Sequence, residues 1–177
     1  MKRWMQGFEC DAPAPLFVGE APGINGARIT GIPFTSPEVL TSWSDPWDAF
    51  AAENGFAIPD GENRSQREPT ATLFWKNVTE WCSGLPRPLT WNAYPFWPHD
   101  GEQSGNRTPN VEELRTGSEW LRRMIELHPN AVIVAVGRCA ERALKAIDVG
   151  HFPIRHPAHG GAREFAEGLR RLADTMR

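Results

Sequence analysis

The stretch Ala131-Val132-Ile133-Val134-Ala135-Val136 is apolar at every position and runs straight into Gly137. A strand with one wet face alternates apolar and polar side chains. An unbroken apolar run belongs instead to a strand covered on both faces, as in the middle of a parallel sheet. Three other segments fit that frame. Leu16-Phe17-Val18 runs into Gly19-Glu20-Ala21-Pro22-Gly23 and reads as a buried strand ending in a tight turn. Leu89 to Tyr94 reads as a second strand, and His151 to Arg155 as a short last one. Helical patterns lie between them. Leu73, Phe74, Asn77, Val78 and Trp81 recur at helical spacing across Ala71 to Trp81. Thr108-Pro109 predicts an N-cap with proline at the first helical position. Glu112 and Glu113 then sit early and Arg122 and Arg123 late, as the helix dipole favours. A helix from Cys139 to Ile147 follows the apolar strand, and an amphipathic helix closes the chain after Gly160-Gly161. Pro46 excludes a long helix over Pro37 to Phe50, and Asp60 to Arg67 and His99 to Arg107 read as polar loops.

This alternation predicts an α/β domain with a largely parallel sheet. Ligands of such sheets bind beyond the carboxyl ends of the strands. Gly19-Glu20, Asn92 and His156 fall at those ends, so they are expected to form one site.

A chain of 177 residues suits one domain, expected here to span residues 1–177. It buries enough apolar surface to fold without a disulfide or structural metal. Cys10, Cys82 and Cys139 are far apart and odd in number, which argues against a disulfide framework. Cys139, inside a helical pattern, is expected to be buried. No apolar run approaches a membrane span, and no signal-peptide core follows Met1-Lys2-Arg3-Trp4, so a cytoplasmic protein is expected. The net charge of −3 does not advertise a nucleic-acid binder. Yet only Lys2, Lys76 and Lys145 among the 19 basic residues are lysine. The others are arginine, the better phosphate ligand.

Gly19-Glu20-Ala21-Pro22-Gly23 followed by Gly31-Ile32-Pro33-Phe34 resembles the first motif of the family 4 and related uracil-DNA glycosylases. Asn92 at a strand end, Pro98, and Asn106-Arg107-Thr108-Pro109 resemble the segment that follows it there. The phrase Val132 to Gly137 with Ala140 and Ala143-Leu144 matches the next strand and helix, and His156-Pro157-Ala158 resembles the second motif. The resemblance covers most of the chain in the family's order. It implies a three-layer α/β/α fold with a central, mainly parallel four-stranded sheet. It also implies a monofunctional glycosylase that leaves an abasic site in base-excision repair. No lysine stands in a motif, so no lyase step is expected. Two departures are plain. Family 4 members hold an iron–sulfur cluster with four cysteines, but here the first pair is absent and the second pair falls near Phe96 and Gly117. No cluster is therefore expected, and because His99, His128, His151 and His159 have no mutual metal-ligand spacing, no zinc or other cofactor is expected either. The stretch at about 36–88 is longer and richer in tryptophan than the family's and reads as an insert.

Breaking an N-glycosidic bond leaves positive charge on the sugar and negative charge on the base. The resemblance gives Glu20 the role of polarising a water against C1′; the alternative is a carboxylate capping loop N–H groups. Asn25 is a candidate to share that water, or else a turn residue. Gly19, Ala21, Pro22 and Gly23 would shape the loop against the base. Phe34 would stack on the extruded base rather than serve only as core. Asn92 would read the Watson–Crick edge of uracil, although a flipped amide fits cytosine equally well. His156 would donate to O2 of the leaving base. Pro157, Ala158, His159 and Arg163 belong to a loop expected to face the DNA, with Arg155 and Arg163 as phosphate contacts. That loop offers no large apolar wedge, which favours single-stranded DNA, with duplex possible. A monomer is expected. The competing readings are the same chemistry on hypoxanthine or a modified cytosine, a DNA-binding relative without catalysis, and a small-molecule or nucleotide-acting protein.

Overall fold

A computed structural model describes Trp4 and residues 13–50, 54–101 and 105–177; Cys10 lies outside these. The strands are β1 (Pro15–Gly19), β2 (Leu89–Asn92), β3 (Val132–Val136) and β4 (Phe152–Ile154). They form one four-stranded sheet of order β2-β1-β3-β4, parallel at every pairing. The helices are α1 (Ala27–Thr30), α2 (Pro37–Ser42), α3 (Pro69–Cys82), α4 (Val111–Leu127), α5 (Arg138–Ala146) and α6 (Ala162–Met176). Among the described residues no helix is long and apolar enough to cross a membrane.

The apolar run over 131–136 does what its composition requires. Because side chains alternate across a strand, Ile133 and Ala135 pack on one face with Leu16, Val18, Leu89 and Trp91, beneath Leu121 and Met124 of α4 and Ala140 and Leu144 of α5. Val134 and Val136 pack on the other with Phe17, beneath Phe74, Trp75 and Val78 of α3 and Phe165, Leu169 and Leu172 of α6. The result is the three-layer α/β/α arrangement. The tryptophan-rich stretch contributes to this second core. Trp75 is fully buried, and its indole donates to the Phe34 carbonyl at 2.9 Å.

Helix α4 starts later than the sequence suggests. Its N-cap is Asn110, not Thr108, and Pro109 lies outside the helix. The Asn110 side chain accepts from the Glu113 N–H while the Glu113 carboxylate accepts from the Asn110 N–H, a reciprocal capping box. Two satisfied donors outweigh the weaker preference for proline at the first position. Arg122 and Arg123 also fall short of the last turn, which carries no basic residue.

Helix α4 meets the end of β2 at Gly117, where a side chain would begin 3.0 Å from the Ala93 carbonyl carbon and closer still to its oxygen. Alanine is the better helix former by about 1 kcal/mol. Here it would push against backbone that cannot swing aside, and overpacking outweighs propensity. Gly117→Ala is expected to destabilise the protein by about 2 kcal/mol, read as a lower urea midpoint at unchanged slope.

Candidate active site

All four strands deliver residues to one cavity of about 780 Å³ at their carboxyl ends. Glu20 follows β1, Asn92 ends β2, Arg138 follows β3, and Arg155 and His156 follow β4; all of them line the cavity. Ala21, Pro22, Gly23 and Phe34 line it from the first loop, and Ala158 and His159 from the last.

The β1–β2 register pairs Gly19 with Asn92. A side chain at Gly19 would begin 2.6 Å from Cζ of Phe34 and 2.8 Å from Oδ1 of Asn92. Glycine there is what lets the ring and the amide stand together. Phe34 itself adopts a positive φ of 57°, which a bulky residue holds only when its surroundings enforce it. Its surroundings do so. Its carbonyl is fixed by Trp75, and its ring is stacked on Phe74 at 4.2 Å. His159 is another lining residue with positive φ.

Two carboxylates line the cavity, and their situations differ. Glu68 caps α3, its two oxygens accepting from the Thr70 and Ala71 N–H groups. The Glu20 carboxylate accepts no hydrogen bond among the described residues and is free to act on a ligand. Asn92 is buried, yet its amide likewise has no hydrogen-bond partner among the described residues.

His156 is better defined. The Ala158 N–H donates to its Nδ1 at 3.2 Å. That nitrogen must therefore be unprotonated, and the neutral ring carries its hydrogen on Nε2. Burial pushes its pKa down to about 4, with the charges of Arg155 and His159 adding to the shift. Cys139 also lines the cavity, buried as expected. Burial, then the Glu20 charge, raise its thiol to about 11, so it is no nucleophile near neutrality.

Some expected residues lie elsewhere. Asn25 is exposed and outside the lining. Gly23 O accepts from both the Gly26 and Arg28 N–H groups, which makes a turn with Asn25 at its outer side. Pro157 is buried and also outside the lining. Arg163 is exposed on the first turn of α6, paired with Glu167 at 3.0 Å. Conversely, Asn106, Arg107, Arg138 and Arg142 line the cavity without having been singled out for the site. Asn106 accepts from the Ile24 N–H at 2.7 Å and so clasps the first loop. Arg107 braces this clasp with paired hydrogen bonds to Glu113, which hold the Glu113 carboxyl down at about 2, and with Asp100.

Among the described residues no cluster of three or more His, Cys, Asp or Glu is arranged to hold a metal ion. The residues near which the second cysteine pair would fall do not fit a cluster. Phe96 is a half-exposed aromatic, and Gly117 has no room for any side chain.

A family profile described as Uracil DNA glycosylase superfamily matches residues 6–173. A comparison with curated proteins returned no match.

Proposed function

The chain belongs to the uracil DNA glycosylase superfamily, and from that premise we propose that it extrudes uracil from DNA and hydrolyses its N-glycosidic bond, leaving an abasic site for base-excision repair. The superfamily supplies the class, a DNA glycosylase. The assignment of the site rests on one observation: Glu20, Phe34, Asn92 and His156, far apart in sequence, line a single cavity; uracil is the base whose O4 and N3–H the Asn92 amide can meet in one of its two orientations.

In this reading the extruded base lies against the Phe34 ring, and the Asn92 amide donates to O4 and accepts from N3–H. The C1′–N1 bond breaks with its electron pair passing to the base, where charge spreads onto O2. The Nε2–H of His156 donates to that oxygen. Glu20 faces the sugar cation and orients the water that adds its oxygen to C1′. The water's proton passes to the carboxylate and then to solvent.

The test is cleavage of end-labelled single-stranded and duplex DNA carrying one uracil, in EDTA, followed by alkali and a gel. A break at uracil supports the reading; intact DNA with folded protein rejects uracil as the substrate. Asn92→Ala is expected to lower kcat/KM on uracil by about ten- to a hundredfold, the loss of two modest hydrogen bonds. An unchanged value would remove Asn92 from base recognition.

A second reading, a cytosine carrying a larger substituent, is favoured by the lining beyond Phe34, where Thr35, Glu68 and Thr70 continue the cavity wall. The same gel with substituted cytosines in place of uracil distinguishes the two.

A further inference from the structure

Arg138 and Arg142 stand one helical turn apart at the start of α5, and Arg155 follows β4. Because β4 pairs with β3, with Val136 opposite Ile154 and the Gly137 N–H donating to Ile154 O, these segments are neighbours. All three side chains are exposed and line the same cavity. None pairs with a carboxylate among the described residues, whereas Arg107, also in the lining, is held by Glu113 and Asp100. The wall is thus locally positive in a chain whose net charge is −3.

The adjoining loop adds only His159, exposed in the lining, as a polar group with which to hold DNA. Pro157 is buried, and Ala158 is too small to serve as a wedge between bases. We propose that Arg138, Arg142 and Arg155 together grip consecutive phosphates of the strand that carries the target nucleotide, holding it by its backbone. The proposal rests on the DNA-glycosylase reading, not on which base is removed.

Phosphate contacts release counterions, so affinity for single-stranded DNA falls with salt at a log–log slope of about −0.7 per contact. The experiment measures binding of a uracil-free, fluorescently labelled single-stranded oligonucleotide by anisotropy, between about 50 and 200 mM KCl. Wild type is compared with Arg138→Ala, Arg142→Ala and Arg155→Ala, and with Arg171→Ala, exposed on α6 away from the cavity. Each of the three wall variants is expected to bind more weakly and to flatten the slope by about 0.7, with Arg171→Ala unchanged. Wild-type slopes in all three, or an equal loss in Arg171→Ala, would overturn the wall. Because the probe contains no uracil, this result is independent of the cleavage assay. A flattened slope with no uracil cleavage keeps the wall and rejects the base; the reverse pattern does the opposite.

Discussion

Glu20→Gln is expected to slow base excision by about 10²–10⁴-fold, which is about 3–5 kcal/mol of lost transition-state stabilisation. The substitution keeps the size of the side chain and its ability to hold a water. It removes the charge that opposes the sugar cation and the site that takes the water's proton. Among the described residues the lining offers no second free carboxylate, and the nearby Asn25 lies outside it. Glu68 is occupied by two backbone N–H groups at the start of α3, and Asn25 faces solvent. The effect should fall on single-turnover rate at saturating enzyme rather than on DNA affinity. Folding should be unaffected, because the Glu20 carboxylate accepts no hydrogen bond among the described residues. A surface change of this kind stays within about 0.5 kcal/mol. Should Glu20→Gln keep activity within about threefold of wild type, Glu20 has no part in the chemistry.

The parts of this molecule that were readable in the sequence are those where one requirement dictates composition. The run over 131–136 had to be buried on both faces, and it is. Strand ends in a parallel sheet must face one crevice, which groups Glu20, Asn92 and His156 from the sequence, and they do share a cavity. What was not readable depends on contacts between distant segments. Arg138 and Arg142 look like any solvated helix face until strand order sets them beside Arg155. The clasp from Asn106 to Ile24 joins loops that share no local pattern. Asn25, close to Glu20 in sequence, is turned outward by backbone hydrogen bonds to Gly23 O that composition alone does not announce. Asn110 and Glu113 have the spacing of a capping box, but the neighbouring Thr108-Pro109 offered an alternative start to the helix.

His156→Gln is expected to lower the excision rate by about 10²–10³-fold, the usual effect of losing one donor to a developing oxyanion, and to change how stability depends on pH. The second effect follows from the state of the ring. In the folded protein its pKa is pushed down to about 4 from an ordinary 6.5, first by burial and then by Arg155 and His159. The unfolded chain takes up the proton near 6.5, whereas the folded protein resists it until about 4. Between those values the unfolded state binds more protons, so acid favours unfolding. Stability is full above about pH 6.5 and is lost progressively as pH falls towards 4, by roughly 3 kcal/mol for this residue. Urea unfolding of wild type and His156→Gln at about pH 7 and pH 4.5 reads the difference directly. Other groups, such as His128, whose pKa is also lowered by burial, act equally in both proteins and cancel. Wild type should lose more stability on acidification than the variant. Equal losses would mean that the ring is not held neutral, and with that the case for His156 as a neutral Nε2–H donor would fail. The two effects have one origin. The Ala158 N–H that occupies Nδ1 places the hydrogen on Nε2, while burial, with the charges of Arg155 and His159, disfavours a second proton. The site accepts a cost in acid stability in return for a donor that is neutral and oriented when the base departs.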